Sequence, residues 1–263
     1  MACSICNCEM HTAFSAIVLH KYLARYECCN ACGFLRVAEP HWLEEAYSSA
    51  IVAADTGLVM RNISITNNIS AVLYIVTGER GEGRYLDVAG GYGLLTRIMR
   101  DQGFDFYWSD RYCENLLARG FEYDQSKGAC VAVTAMEVLE HLTDPIEFID
   151  EVLTSSGADT LLFSTELYIG TPPKPEDWWC YALATGQHIG FFQHRTLEIL
   201  DQRLNLHLTS ANGLHALSRQ RLNGRLFSVA TYPLFCRLAA TFIRRRVGSR
   251  TFDDHHQIMR KFE

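Results

Sequence analysis

Apolar positions change their rhythm near residue 83. Ahead of it they recur three and four apart in "HWLEEAYSSAI" (41–51), which follows Pro40, and in "RNISITNNISAVLYIV" (61–76), so the spacing predicts helices punctuated by Gly57 and Gly78. Beyond it, short continuous apolar runs alternate with helix-period segments. "RYLDVAG" (84–90) predicts a buried strand, "LLTRIMRDQG" (94–103) a helix ended by Gly103, and "FDFYWSD" (104–110) a second strand. "ACVAVTAM" (129–136), "PIEFIDEVL" (145–153) and "DTLLFSTEL" (159–167) repeat the strand, helix, strand order. Asp144 before Pro145 marks a helix start, with a carboxylate to cap free amides and proline at the first helical position. Such alternation predicts an α/β, Rossmann-like fold, a mostly parallel sheet with helices on both faces.

After residue 168 comes a loop rich in proline and aromatics, then a helix from about Arg195. "LNLHLTSANGLHALSR" (204–219) and "RLFSVATY" (225–232) read as two strands facing each other. The tail from Pro233 reads as helical, with "RLAATFIRRR" (237–246) amphipathic: a solvated surface helix is the expectation, and a basic end that touches a membrane or an anionic partner is the alternative. The expected division is 1–38, 39–80, 81–232 and 233–263.

Composition narrows the function classes. With 263 residues, 48% hydrophobic and 21% charged, the chain can bury the core of one α/β domain plus a small appendage. Thirty acidic against twenty-four basic residues give a net charge of −6, which argues against non-specific nucleic-acid binding. No apolar run reaches the ~20 residues of a membrane span, and "MACSICNCEM" lacks the basic start and apolar run of a signal peptide. The expectation is a cytoplasmic protein with a small-molecule substrate; the oligomeric state is not legible.

Six of the ten cysteines fall within the first thirty-two residues, and a reducing compartment favours metal binding over disulfides for them. Cys3-x-x-Cys6 and Cys29-x-x-Cys32, the latter followed by Gly33, form two knuckles. Four thiolates would saturate a zinc ion, so the segment is expected to be a structural four-cysteine zinc site. Cys8 and Cys28 are alternative ligands that the sequence leaves open.

"YLDVAGGYGLL" (85–95) is a strand, a glycine-rich turn and a helix start, which lets the backbone approach a nucleotide. The dinucleotide pattern G-x-G-x-x-G fails here, because counting from Gly91 gives Gly93 and then Thr96. The run Asp87-x-Ala89-x-Gly91-x-Gly93 instead resembles the first motif of class I S-adenosylmethionine-dependent methyltransferases, with Ala89 in place of the first glycine. The resemblance implies a seven-stranded sheet. It also implies that Asp87 faces the methionine end of the cofactor while Gly91 and Gly93 let the turn pass beneath it. Asp110, at the end of the second strand, is the expected partner of the ribose hydroxyls. Arg61 and Asn62 are candidates for the cofactor carboxylate.

"AMEVLEHLTDP" (135–145) closes an apolar strand with Glu137, Glu140 and His141, where open sheets place their ligands. If 137–142 is a single turn, these three share one face and form half of an octahedral site suited to Mg2+ or Mn2+. The ExxEH string also resembles ubiquinone-biosynthesis O-methyltransferases and small-RNA 2′-O-methyltransferases. By the latter resemblance His188, in "TGQHIGFF", is a further metal ligand. Three readings stay open: a metal held by Glu137, Glu140, His141 and His188, a metal-free site with His141 or His188 as general base, and side chains that only cap and fill. The knuckle is also found in related sugar methyltransferases. The expected activity is methyl transfer to a hydroxyl of a sugar, glycoconjugate or polyol-like metabolite. Alternatives are C- or N-methylation of a nucleotide-linked sugar and a non-catalytic zinc-bearing binding protein. Trp178, Trp179, Tyr181, Phe191 and Phe192 are expected either to roof the cleft or to join the core.

Overall fold

The computed structural model describes residues 2–47, 55–78 and 80–260. It opens with β1 (Met10–Val18), β2 (Tyr22–Cys29) and β3 (Leu35–Val37), followed by α1 (Leu43–Ala46) and α2 (Leu58–Ala71), which runs on as a π-helical turn through Val72–Val76. The remainder of the helix expected over 41–51, from residue 48, lies outside the described residues. Next come β4 (Arg84–Val88), α3 (Leu94–Asp101), β5 (Asp105–Ser109), β6 (Ala132–Met136), α4 (Pro145–Ser156) and β7 (Thr160–Ser164). The chain finishes with β8 (Gly190–Phe191), α5 (His194–Leu204), β9 (His207–Ala211), β10 (Leu214–Ser218), α6 (Gly224–Ala230), α7 (Pro233–Val247) and α8 (Thr251–Met259).

The larger sheet runs β5-β4-β6-β7-β10-β9, its first four strands parallel and its last two joined antiparallel. Successive residues of each central strand enter opposite cores, which explains the continuous apolar runs. Leu86, Val133, Leu161 and Leu217 meet α4 and α5 through Ile149, Val152, Leu197 and Leu200. Their neighbours Tyr85, Ala132, Leu162 and Ala216 meet Ile69, Met99, Phe227 and Ile243 on the other face. Helices therefore cover both faces, as the alternation predicts.

The sheet has six strands, not seven, among the described residues. The seventh position, beside β5, holds a single parallel bridge between Trp108 and Glu122. Asp124 ends that segment at once, because its side chain accepts from the Ser126 backbone N–H at 3.0 Å and turns the chain. A second correction concerns residues 204–232. Both final strands lie within "LNLHLTSANGLHALSR", hinged on Asn212 and Gly213 with φ of 51° and 78°, values that suit the tight hairpin turn. "RLFSVATY" is instead α6, started by the Asn223 side chain, which accepts from the Arg225 and Leu226 amides at 3.1 and 3.2 Å.

The cysteine-rich segment is itself a sheet, β1-β2-β3-β8, whose last strand is supplied from beyond β7. Tyr181, Phe191 and Phe192 are core residues of this junction, whereas Trp179 is 72% exposed. At the other end of the molecule Arg100, buried, grips both carboxylate oxygens of Asp254 at 2.7 and 2.8 Å and Asp105 at 2.6 Å, tying α8 to α3 and β5.

Candidate functional site

The turn after β4 and the turn after β6 lie side by side at the carboxyl edge of the sheet. There β4 leads to β5 on one flank while β6 occupies the other, the switch point at which open α/β sheets form their ligand crevice. In the first turn Ala89, Gly91 and Gly93 take positive φ of 52°, 54° and 85°, and Gly93 becomes the N-cap of α3. The alanine that replaces the first glycine thus bears a conformation glycine would adopt freely. A Cβ on Gly90 would stand 2.7 Å from an Asp87 carboxylate oxygen, so the turn is packed down onto that side chain.

Asp87 lies beneath the turn, where Thr96 and Thr134 hydroxyls donate to it at 3.1 and 2.8 Å. Burial pushes its pKa up to about 7. Asp110 stands at the end of β5, 2.9 Å from the Gly91 N–H, and also accepts from the Tyr112 and Cys113 amides. It braces the glycine turn. Asn62 donates to the Leu58 carbonyl, and Arg61 is paired through both terminal nitrogens with Asp55 at 3.2 and 2.7 Å. The Arg61 guanidinium also senses Glu137 and Glu140.

The acid and histidine turn is less regular than a single helical turn. Glu137 has φ of 55° and stands outside the short 3-10 turn Leu139–His141, so it does not share a face with Glu140 and His141 by helical spacing. It closes a ring with Ser164: the Glu137 N–H donates to Ser164 Oγ at 3.0 Å, and that hydroxyl donates to Glu137 Oε1 at 2.5 Å. Glu140, His141 and His188 do converge, each with one ligand atom within 4.8 Å of the others. Glu140 is 1% exposed, and its Oε2 has no hydrogen-bond partner among the described residues. Burial, with the neighbouring charge of Glu137, pushes the Glu140 carboxyl up to about 8. Burial holds His141 down at about 3 and also lowers His188, so both rings are neutral and present lone pairs. An orphaned carboxylate oxygen beside two neutral imidazoles fits a divalent cation.

Residues 41–47 and 186–189 fix this arrangement. Trp42 Nε1 donates to the Gly186 carbonyl at 2.9 Å, Gln187 to the Ala46 carbonyl at 2.8 Å, and the Ile189 N–H to the Glu140 carbonyl at 2.7 Å. His188 Nδ1 lies 2.6 Å from the Cys180 carbonyl, which only an N–H can satisfy, so Nε2 is the free acceptor. The sequence reading missed Tyr47, whose hydroxyl lies 2.9 Å from His141 Nδ1. No local signal marks a tyrosine that meets its partner across ninety-four positions.

The four cysteines also converge. Cys3 and Cys32 sulfurs are 3.6 Å apart and Cys6 and Cys29 sulfurs 3.4 Å, with all four within 4.8 Å. Tetrahedral bonds of ~2.3 Å to zinc separate sulfurs by ~3.8 Å, so the set can hold a metal with little adjustment. A hydrogen bond from Cys32 lowers the Cys3 thiol to about 5, which primes a thiolate. Cys8 is exposed, and Cys28 points instead at the Tyr168 hydroxyl at 3.6 Å, so neither joins the cluster. Gly33 and Asn7 take φ of 74° and 62° directly after the second cysteine of each knuckle; the asparagine, which also tolerates this conformation, is the equivalent the sequence reading passed over.

A family model described as a methyltransferase domain matches residues 61–211, more than half of the chain. The chain belongs to this methyltransferase family. The methyltransferase domain is S-adenosylmethionine-dependent, and the glycine turn, Asp87 and Asp110 all lie within the matched residues. No curated protein sequence matches the chain. Among solved structures, the SAH-bound form of a methyltransferase of calicheamicin biosynthesis is 14% identical with a TM-score of 0.38, covering 58% of this chain and 54% of its own. The chain therefore spans about half of that protein's length. Magnesium protoporphyrin IX methyltransferase from Synechocystis PCC 6803, with bound SAH, is 13% identical with a TM-score of 0.42, covering 68% and 93%. An O-methyltransferase family protein from Burkholderia thailandensis is 15% identical with a TM-score of 0.48, covering 70% and 63%.

Proposed function

We propose that the protein is an O-methyltransferase acting on a hydroxyl of a small polyol-like molecule, a sugar or glycoconjugate. The observation that carries this reading is the buried Glu140 Oε2, without a hydrogen-bond partner among the described residues, close to two neutral imidazoles. S-adenosylmethionine supplies a methyl group on a sulfonium, already a strong donor, so the protein has mainly to align the acceptor and activate its oxygen. Glu140, His141 and His188, with Glu137 beside them, would hold a divalent ion, Mg2+ or Mn2+, that lowers the pKa of a bound hydroxyl. Tyr47 and the Cys180 carbonyl orient the two rings, while Ser164 fixes Glu137. Asp87 and Asp110 set the cofactor turn from below and from its flank.

A second reading needs no divalent ion. His188 Nδ1 is pinned to the Cys180 carbonyl, so Nε2 can take the acceptor proton directly, with burial keeping the ring neutral near pH 7. The Cys3, Cys6, Cys29 and Cys32 set we assign to structural zinc.

Calorimetry with S-adenosylhomocysteine, followed by a methyl-transfer screen over a hydroxylated panel, tests the activity. Binding and transfer to oxygen support the proposal; transfer only to carbon or nitrogen replaces it, and binding with no transfer identifies a non-catalytic binder. Dialysis against a chelator separates the two mechanisms. Activity lost and restored by Mg2+ or Mn2+ requires the metal, whereas unchanged turnover leaves His188 as the base.

A further inference from the structure

Far from the crevice, the elbow formed by α6 and α7 carries an inverted surface. The two helices meet at 83° across Thr231, Tyr232 and Pro233. On α7 the inward side bears buried Ala240 together with Cys236 and Ile243, which join the core under the sheet. Leu234, Leu238 and Phe242, spaced four apart, stand on the opposite side and are 65%, 66% and 53% exposed. Phe235, Tyr232, Val229 and Leu226 extend this exposed apolar surface over the elbow. A helix that only caps a core turns its polar side outward; this one turns leucine and phenylalanine outward.

Its charges are as one-sided as its apolar face. Between Gly224 and Val247 there are five arginines, Arg225, Arg237, Arg244, Arg245 and Arg246, and no aspartate or glutamate, in a chain whose net charge is −6. Arg237, Arg244 and Arg245 line a cleft of about 430 Å3 with Asn67 of α2, Gln102, Thr241 and Ser249. None of the three has an acidic partner among the described residues. The cleft thus offers several guanidinium groups and amide and hydroxyl donors to one anion, next to the exposed apolar ridge. Arg246, on the other flank, lies over the Phe242 ring.

We propose that the α6–α7 elbow docks on the surface of an anionic phospholipid bilayer, with Leu234, Leu238 and Phe242 entering the interface and the Arg237, Arg244 and Arg245 cleft taking a lipid phosphate. Apolar insertion and several basic side chains together give reversible attachment that neither gives alone. No helix of the described chain is long and apolar enough by itself to cross a membrane, and although α6 and α7 pass together by length and composition, α7 keeps Cys236 and Ile243 in the protein core, so the proposed contact is peripheral.

The test is co-sedimentation of the full chain with vesicles of phosphatidylcholine alone and of phosphatidylcholine mixed with phosphatidylglycerol. The expected result is binding to the mixed vesicles, weakened about tenfold or more by Arg244→Glu with Arg245→Glu and by added salt. Leu238→Asp with Phe242→Asp should abolish it; both pairs are exposed, so S-adenosylhomocysteine binding should stay unchanged and report intact folding. Three outcomes would overturn the proposal: no vesicle binding, binding indifferent to the anionic lipid, and a wild-type dimer in sedimentation velocity that Leu238→Asp dissolves. Tight binding of soluble glycerol phosphate without vesicle binding would likewise replace the bilayer with a free anion.

Discussion

Glu140→Gln keeps the side-chain volume of the crevice acid and removes the charge that its carboxyl, raised to about 8, would gain when a cation displaces its proton. Methyl transfer should fall by about two orders of magnitude or more while S-adenosylhomocysteine affinity stays within about twofold, read from kcat and from calorimetry. Tyr47→Phe should cost less, roughly threefold to tenfold in kcat, because it frees the His141 ring without removing a ligand. Asp87 gives a pH signature. Its carboxyl is raised from the ordinary 3.8 to about 7, so between those values the folded state holds a proton that the unfolded chain has released, and stability falls as pH rises toward 7. The thermal midpoint of the wild type should decline over that window, and Asp87→Asn should decline less. That Asp87, Ala89, Gly91, Gly93 and the Glu140-His141 pair stand at the carboxyl edge of the sheet was legible in the sequence because a strand, a turn and the next element are local. Tyr47 and the Ser164 lock on Glu137 were not, since both depend on which distant segments the fold brings together.

Among the elements, the cysteine knuckles and the crevice are linked in series. Cys29 ends β2 and Cys32 precedes β3; β3 pairs with β8, and His188 stands two residues before β8. The Thr196 hydroxyl donates to the Cys32 carbonyl and Arg203 to the Ser4 and Ile5 carbonyls, so the knuckles also dock on α5. Cys32→Ser should therefore lose zinc by elemental analysis and lose most turnover, while the glycine turn, on the other sheet, still binds S-adenosylhomocysteine. Equal loss of cofactor binding would contradict the serial linkage. Element type was legible where period and caps agreed, as at Asp144, whose side chain accepts from the Ile146 and Glu147 amides. It failed at "RLFSVATY", where a short apolar run fits strand or helix alike, and it overlooked the Asn-Gly turn that already supplied a hairpin.

For the whole molecule, the Arg100 side chain joins the carboxy-terminal helix to the sheet edge. Arg100→Ala would strip buried Asp254 of its two-pronged partner, leaving it Arg97 alone, and should destabilise the fold by about 3 kcal/mol, the lower end for a buried ion pair broken outright, measured by chemical denaturation. The layered α/β plan was legible in the alternation of apolar runs, but not the second sheet: β1 and β2 lie between the cysteine knuckles and were read only as part of a zinc segment, and β8 is two residues long and reads as loop. That short strand has a temporal consequence. The sheet begun by β1, β2 and β3 stays open at one edge until residues 190 and 191 have left the ribosome, so during synthesis the amino-terminal hairpin must wait for most of the chain. Contacts of such long sequence separation form slowly. Nascent chains stopped before residue 190 should thus expose the β3 edge, and their cysteines should be modified by a thiol reagent faster than those of the finished protein.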